Sequence, residues 1–255
     1  MLFYSLYLIS TWPIKQKLSK MKLCLLFLFQ FFCLSNIIAQ NNSDSITVEK
    51  IVNNAVSAMG GKEYLQTIKT LYSDISTEME GRQVHWIIKE MHPNKGSFQI
   101  TYNNRSVYHN WFDGKKGFEI VNGEKRKADA REFKDKKYKK NIFDELDYLD
   151  STLWKIELAG EEKVNNEDCY KIKATLANGA VSMFYFSKNT FHRLRVDKIS
   201  NAEKDTFKTT FFGGFSKFGQ LTMYTEMRFE DNGIIQTAKI INLLINEMVT
   251  DNDFK

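Results

Sequence analysis

Apolar residues fall at two spacings along this chain, and the change from one to the other comes near residue 70. Val48, Ile51, Val52, Ala55, Val56 and Met59 recur every three or four residues, which puts them on one face of a helix. Asp44, Ser45 and Thr47 offer side-chain oxygens to cap its start, and Gly60-Gly61 ends it by admitting positive φ. Glu63 to Ile68 predicts a further turn or two of helix. From Leu71 onward the period is two. Leu71, Ile75 and Met79 alternate with Tyr72, Asp74 and Glu78. Then come Val84, Trp86 and Ile88; Phe98, Ile100 and Tyr102; and Val107, His109 and Trp111. Later segments read Tyr170, Ile172, Ala174 and Leu176; Val181, Met183 and Tyr185; Phe207, Thr209 and Phe211; and Leu221, Met223, Thr225, Met227 and Phe229.

Turn signals separate these segments: Pro93-Asn94, Asp113-Gly114, Asn122-Gly123, Asn178-Gly179 and Asn232-Gly233. Asn-Gly and Asp-Gly tolerate the positive φ of tight hairpins, so the segments they join are neighbours in an antiparallel meander. Crossover helices long enough for a parallel sheet are missing. The predicted class is α+β, mostly antiparallel β.

One stretch interrupts the meander. Lys125 to Asp150 is highly charged and contains Lys134-Asp135-Lys136-Lys137-Tyr138-Lys139-Lys140. Ile142, Leu146 and Leu149 at its end have helical spacing, which predicts a solvated loop leading into a helix over about 141 to 149. Such a basic run most often forms a solvated face, the alternatives being anionic lipid headgroups or an acidic partner.

The first forty residues read as a leader. After Met21 come Lys22, an apolar run through Leu34, and small Ala39 at a cleavage position. The run is shorter than the roughly 20 apolar residues of a spanning helix. Neither Cys24 nor Cys33 follows the small residues that lipid attachment requires. The expected organisation is therefore a leader over 1–39, with Met21 an alternative start. A single β domain over 40–255 follows, carrying a charged helical insertion at about 125–150. The expected location is the periplasm or cell envelope of a Gram-negative bacterium.

Losing the leader changes the charge. Four of the 36 Lys and Arg precede residue 40 and none of the 31 Asp and Glu does, so the net charge of +5 falls to about +1. Nucleic-acid binding thereby loses its compositional support. Of three cysteines only Cys169 remains, so no internal disulfide forms and stability must come from a core.

Chemistry-bearing motifs are sparse. His85, His92, His109 and His192 include no pair four residues apart and no His-Glu-x-x-His, so no metal is expected. There is no Gly-x-Ser-x-Gly elbow. Glu167-Asp168 before Cys169 disfavour a thiolate, and the glycine pairs lack phosphate-loop spacing. No enzyme activity and no cofactor are expected. What the chain holds in quantity is aromatic and apolar residues on strands. A long antiparallel sheet with few helices either closes and fills with side chains or leaves a ligand space.

The order of local motifs resembles that of the bacterial outer-membrane lipoprotein-sorting proteins, the LolA/LolB-like lipoprotein carrier superfamily. The match runs from Ala58-Met59-Gly60-Gly61-Lys62-Glu63-Tyr64-Leu65 through Lys89-Glu90-Met91-His92-Pro93-Asn94-Lys95 and Phe112-Asp113-Gly114-Lys115-Lys116-Gly117-Phe118. It continues through Leu158 to Val164, Asp168-Cys169-Tyr170-Lys171-Ile172, and Phe184-Tyr185-Phe186-Ser187-Lys188-Asn189-Thr190. It ends at a closing strand and final phenylalanine over Ile245 to Phe254. Ser187, where relatives often carry an acidic residue, departs from the pattern. So do the charged stretch and the absent proline-rich ending. The resemblance spans about residues 45 to 255 and implies a curved, unclosed half-barrel wrapped around a few helices, holding acyl chains on its concave side without a cofactor.

On that reading the candidate lining residues are Trp86, Phe98, Tyr102, Met223 and Met227, and the charged stretch serves as lid or docking element. The partners are lipid or lipoprotein acyl chains and envelope membrane proteins, with the chain a monomer. The alternative is a ligand-free interaction module of the envelope with a filled core.

Overall fold

Thr47 starts the first helix as its capping residue. Its backbone is extended, and its Oγ1 accepts the Lys50 N–H at 3.2 Å. The computed structural model describes residues 46–201, 206–231 and 233–255, so the expected leader lies outside the described residues. Helix α1 (Val48–Ala58) buries Ile51, Val52, Ala55 and Val56, the stripe the periodicity marks. Gly60 and Gly61, at φ 130° and 90°, turn the chain into α2 (Lys62–Thr67). A Cβ on Gly60 would lie 2.6 Å from the Gln220 carbonyl oxygen, so this turn needs glycine for space as well as for conformation.

The strands are β1 (Thr70–Met79), β2 (Arg82–Met91), β3 (Lys95–Tyr102), β4 (Arg105–Phe112), β5 (Gly117–Val121), β6 (Glu124–Lys127), β7 (Trp154–Val164) and β8 (Glu167–Leu176). They continue with β9 (Val181–Ser187), β10 (Arg193–Asn201), β11 (Thr206–Gly213), β12 (Ser216–Phe218), β13 (Leu221–Met223), β14 (Glu226–Asp231) and β15 (Ile234–Ile245). Thirteen of them form one antiparallel sheet in the order β6-β5-β4-β3-β2-β1-β15-β14-β11-β10-β9-β8-β7, while β12 and β13 pair with each other. No pairing among the described residues joins β6 to β7. The sheet is thus curved but unclosed, the half-barrel that the resemblance implies. Residues Ile46–Lys255 make one compact unit.

Strand alternation divides the sheet into two faces. Leu71, Ser73, Ile75 and Thr77 of β1 are buried on the inner one. Register passes that face to Glu90, Ile88, Trp86 and Val84 of β2 and on to Phe98 and Ile100 of β3. On the far half, Ile172, Ala174, Phe184, Phe186 and Val196 pack with Ile51, Val52 and Ala55 of α1. The outer face is also partly covered. Cys169, Val164 and Tyr185 form one cluster there, and Trp111, Val249 and Phe254 another. β9 is therefore buried on both sides, with Phe184 and Phe186 inward and Met183 and Tyr185 outward.

Three expectations change. The stretch after Lys125 begins as β6, and no α-helix forms over 141–149; short 3-10 turns occupy Lys136–Tyr138 and Asp144–Leu146. Buried Asp147 is the reason. Its carboxylate accepts the N–H groups of Lys140 at 2.8 Å and Asn141 at 3.2 Å, and Asn141 Nδ2 at 2.7 Å, which folds the chain back on itself. The alternating run from Leu221 to Phe229 is two strands, broken where the Thr225 N–H reaches the Gly213 carbonyl at 3.1 Å and the Thr222 N–H reaches that of Met59 at 3.0 Å. The closing strand is β15. The residues after Ile245 form a turn and a 3-10 helix, Asp251–Phe254, tied to the sheet by Lys89–Asp253 and Lys95–Asp251 ion pairs.

Candidate functional site

An irregularity in β10 aims a charge into the half-barrel. Arg193 pairs with Phe186 and Arg195 with Tyr185, so the register slips at Leu194. The slip breaks the alternation of two. Arg193 therefore faces inward with Phe186, whereas Arg195 sits over Tyr185 on the outer face, 4.5 Å from the ring centroid. The Arg193 guanidinium lies 5.5 Å from the ring centroids of both Phe184 and Phe212, donates to the Tyr148 hydroxyl, and stands 3.2 Å from Glu145 Oε1.

Beside it is a cavity of about 230 Å³. Ala55 of α1 and Met59 just after it, Leu71 and Glu90 of the sheet, Arg193, and Met223 of β13 form its walls, and residues 139 and 142–145 of the charged stretch close it. Lys139 Nζ is 3.2 Å from Glu90 Oε1 and 3.2 Å from Asp144 Oδ1. The cover is therefore held from two sides, by β2 through Lys139 and by β10 through Arg193.

These charges stabilise one another. Burial disfavours the charge on Lys139, but Asp144 and Glu90 outweigh it and raise its pKa. Burial likewise opposes ionisation of Asp144, and Lys139 and Arg193 outweigh it, so that carboxyl sits below its ordinary value. Burial pushes the Tyr224 hydroxyl up to about 12. His192, stacked on Phe215 at 4.3 Å, has its pKa lowered chiefly by burial. Among the described residues no group of His, Cys, Asp and Glu side chains is arranged to hold a metal ion. The arrangement suits binding: an apolar wall on one side and a closed set of ion pairs on the other.

The five residues singled out from sequence separate. Trp86 and Phe98 meet edge to face at 5.9 Å, and Trp86 also lies 5.6 Å from Phe229 across the inner face. Met223 lines the cavity. Met227 stands in register with Phe212 and with buried Ala238. Tyr102 is at the far end of β3, under Arg82 at 5.7 Å. Sequence reasoning missed Glu90, Lys139, Asp144, Glu145 and Arg193. Regular alternation hides Arg193, and a basic run reads as a solvated surface until its fold-back is known.

No protein-family model matches the chain, and no curated protein matches it. Solved structures do. A DUF1329 family protein from Desulfovibrio piger is 19% identical, with TM-score 0.56 over 82% of this chain and 97% of that one. A LolA superfamily protein from Nitrosomonas europaea is 11% identical, with TM-score 0.57 over 83% and 98%. An outer membrane lipoprotein-sorting protein domain from Vibrio parahaemolyticus is 10% identical, with TM-score 0.56 over 81% and 95%. The chain thus has the fold shared by LolA superfamily proteins and outer-membrane lipoprotein-sorting domains.

Proposed function

We propose that the protein carries lipid or lipoprotein acyl chains in the cell envelope, holding them non-covalently against the inner face of the half-barrel. The observation that carries this reading is the state of that face. Trp86, Ile88, Phe98, Ile100, Tyr108 and Phe229 stay partly exposed beside buried Ile75, Val84 and Ala238. A barrel filled by its own side chains would bury them. Each acyl methylene placed there contributes about 0.8 kcal/mol, so about a dozen offset several kcal/mol of ordering cost.

Size argues for a longer groove. The cavity's 230 Å³ falls below the roughly 300 Å³ at which small-ligand pockets usually begin. A full acyl chain therefore extends past it along β1 and β2, from Leu71 and Glu90 through Ser73 and Ile88 to Ile75 and Trp86. Loading requires the charged cover to shift, and the Lys139 and Arg193 contacts are the latch it leaves. The leader expected over residues 1–39 supports the location, and the likeness to a LolA superfamily protein and an outer membrane lipoprotein-sorting domain supports the class of cargo.

The test is native mass spectrometry with lipid extraction on protein purified from a Gram-negative periplasm. Stoichiometric acyl lipid or lipopeptide supports the carrier. Protein that stays empty after incubation with lipids and lipopeptides refutes it and leaves the interaction module.

A further inference from the structure

We propose that Lys115, Lys116, Lys127 and Lys134 form a docking surface for an anionic lipid bilayer, an inference that rests on the carrier reading only for its purpose. Residues 115–140 carry 11 Lys and Arg against five Asp and Glu, in a chain close to neutral after residue 40. The structure sorts these cations. Lys139 is spent inside, and Arg126, Arg131 and Lys140 pair with Glu119, Asp129 and Asp150 at 2.8, 2.5 and 2.5 Å. Lys125 lies over the Phe118 ring at 4.2 Å, Lys137 over the Tyr138 ring at 4.8 Å, and Lys136 is half-buried against Gly96. Lys115, Lys116, Lys127 and Lys134 remain exposed, and none forms an ion pair among the described residues. The nearby Asp113 carboxylate is occupied by the backbone N–H groups of Lys115 and Lys116, at 2.7 and 2.8 Å.

The fold brings the four together from three stretches of chain. Lys116 precedes Gly117. Lys127 follows Arg126 on β6 in register with Phe118, and the next N–H, of Ala128, donates to the Gly117 carbonyl at 3.1 Å. Phe133 packs its ring on Gly117 and stacks on Phe112 at 5.7 Å, which sets Lys134 beside them. A blander role exists for charge here, since β6 is an edge strand and exposed charge discourages pairing with other chains. That accounts for Lys127. It does not account for Lys115, Lys116 and Lys134, which lie in turns. Lysine ammoniums on flexible stems, without a pocket, match a diffuse negative surface rather than one shaped ligand. The same stretch runs on into the residues that close the cavity, so docking here would bring that cover to a membrane.

Sedimentation with vesicles tests this. The probe is phosphatidylcholine vesicles with or without about one-third phosphatidylglycerol, at low ionic strength. The protein starts at Gln40, which retains the whole compact unit Ile46–Lys255. Binding is expected only with phosphatidylglycerol, is lost in salt, and weakens about fivefold for each lysine changed to glutamine. A variant with Lys155→Gln, Lys163→Gln and Lys173→Gln, exposed on β7 and β8, should bind as the parent does. Equal binding to neutral vesicles overturns the proposal. So does undiminished binding by the four-lysine variant with an unchanged melting temperature, or capture by an acidic protein without vesicle binding. Lipid extraction on the four-lysine variant reads the carrier function separately, because these lysines lie outside the cavity.

Discussion

Lys139 Nζ stands 3.2 Å from Glu90 Oε1, a contact that spans from the cover of the cavity to the second strand of the sheet. Replacing Lys139 by methionine leaves Glu90 and Asp144 without their shared cation. Both partners keep some solvent, 22% for Glu90 and 47% for Asp144, so the loss is about 1–3 kcal/mol rather than that of a fully buried pair. Urea unfolding should show that loss, and amide exchange over residues 136–148 should accelerate. Glu90→Gln added to Lys139→Met should recover part of it, because one uncompensated charge is removed.

The same contact sets a pH window. Asp144 has a pKa below the ordinary 3.8 in the folded state, so its contribution is complete above that value and is lost as pH falls through its own lower one. Lys139 is raised above the ordinary 10.5, so its contribution is complete below that and lost only above the raised value. The part of the cover's amide protection that Lys139 and Asp144 supply, read as the difference between the parent and Lys139→Met, should therefore be flat from about pH 5 to about pH 9 and fall in acid below about pH 4. A change in that difference near neutral pH would contradict this.

Trp86 touches Phe98 and Phe229 across the inner face without being fully buried. Trp86→Ala should weaken binding of a fatty-acid probe by about tenfold while lowering stability by no more than about 1–2 kcal/mol. Tyr102→Ala, at the end of the strand, should change the probe affinity much less. Fluorescence titration compares the two, and equal losses would show that the groove extends to Arg82.

Cys169 is fully buried, and burial followed by the Glu167 charge pushes its thiol up to about 11. At about pH 8 only about one thiol in a thousand is then ionised, before access is considered. Protein beginning at Gln40 should fail to react with a disulfide reagent when native and react at one thiol per chain in urea. Rapid native labelling would mean that the cluster around Tyr185 and Val164 opens.

The helix over Val48–Ala58 and the hairpins at Asn122-Gly123 and Asn178-Gly179 were legible because capping, helical period and turn chemistry are local. Alternation gives parity within each strand, but that Trp86 and Phe98 share a face follows only from the register of β2 with β3. Alternation fails where a strand is irregular. The slip at Leu194 turns Arg193 inward against its neighbour Arg195, and nothing in the two arginines' spacing announces it. The cover departs from its apolar spacing for a related reason. Ile142, Leu146 and Leu149 have helical spacing, but the bonds from Lys140 and Asn141 to Asp147 close a tighter turn first. Leu149 is consequently exposed while Ile142 and Phe143 are buried.

Gly117 shows how the charged stretch is anchored at its start. A Cβ there would overlap the Phe133 ring, which is rigid and wedged between Gly117 and Phe112. Gly117 is not at positive φ, so the demand is for space alone. Gly117→Ala should drive Phe133 off the sheet at a cost of about 1–3 kcal/mol, the usual range for overpacking. Phe133→Ala in the same chain should relieve the clash, so the double variant should be no less stable than Phe133→Ala alone. Denaturation midpoints of the four chains decide the matter. If Gly117→Ala is as costly without the Phe133 ring as with it, the strain lies in the β5 backbone and Phe133 does not anchor the stretch.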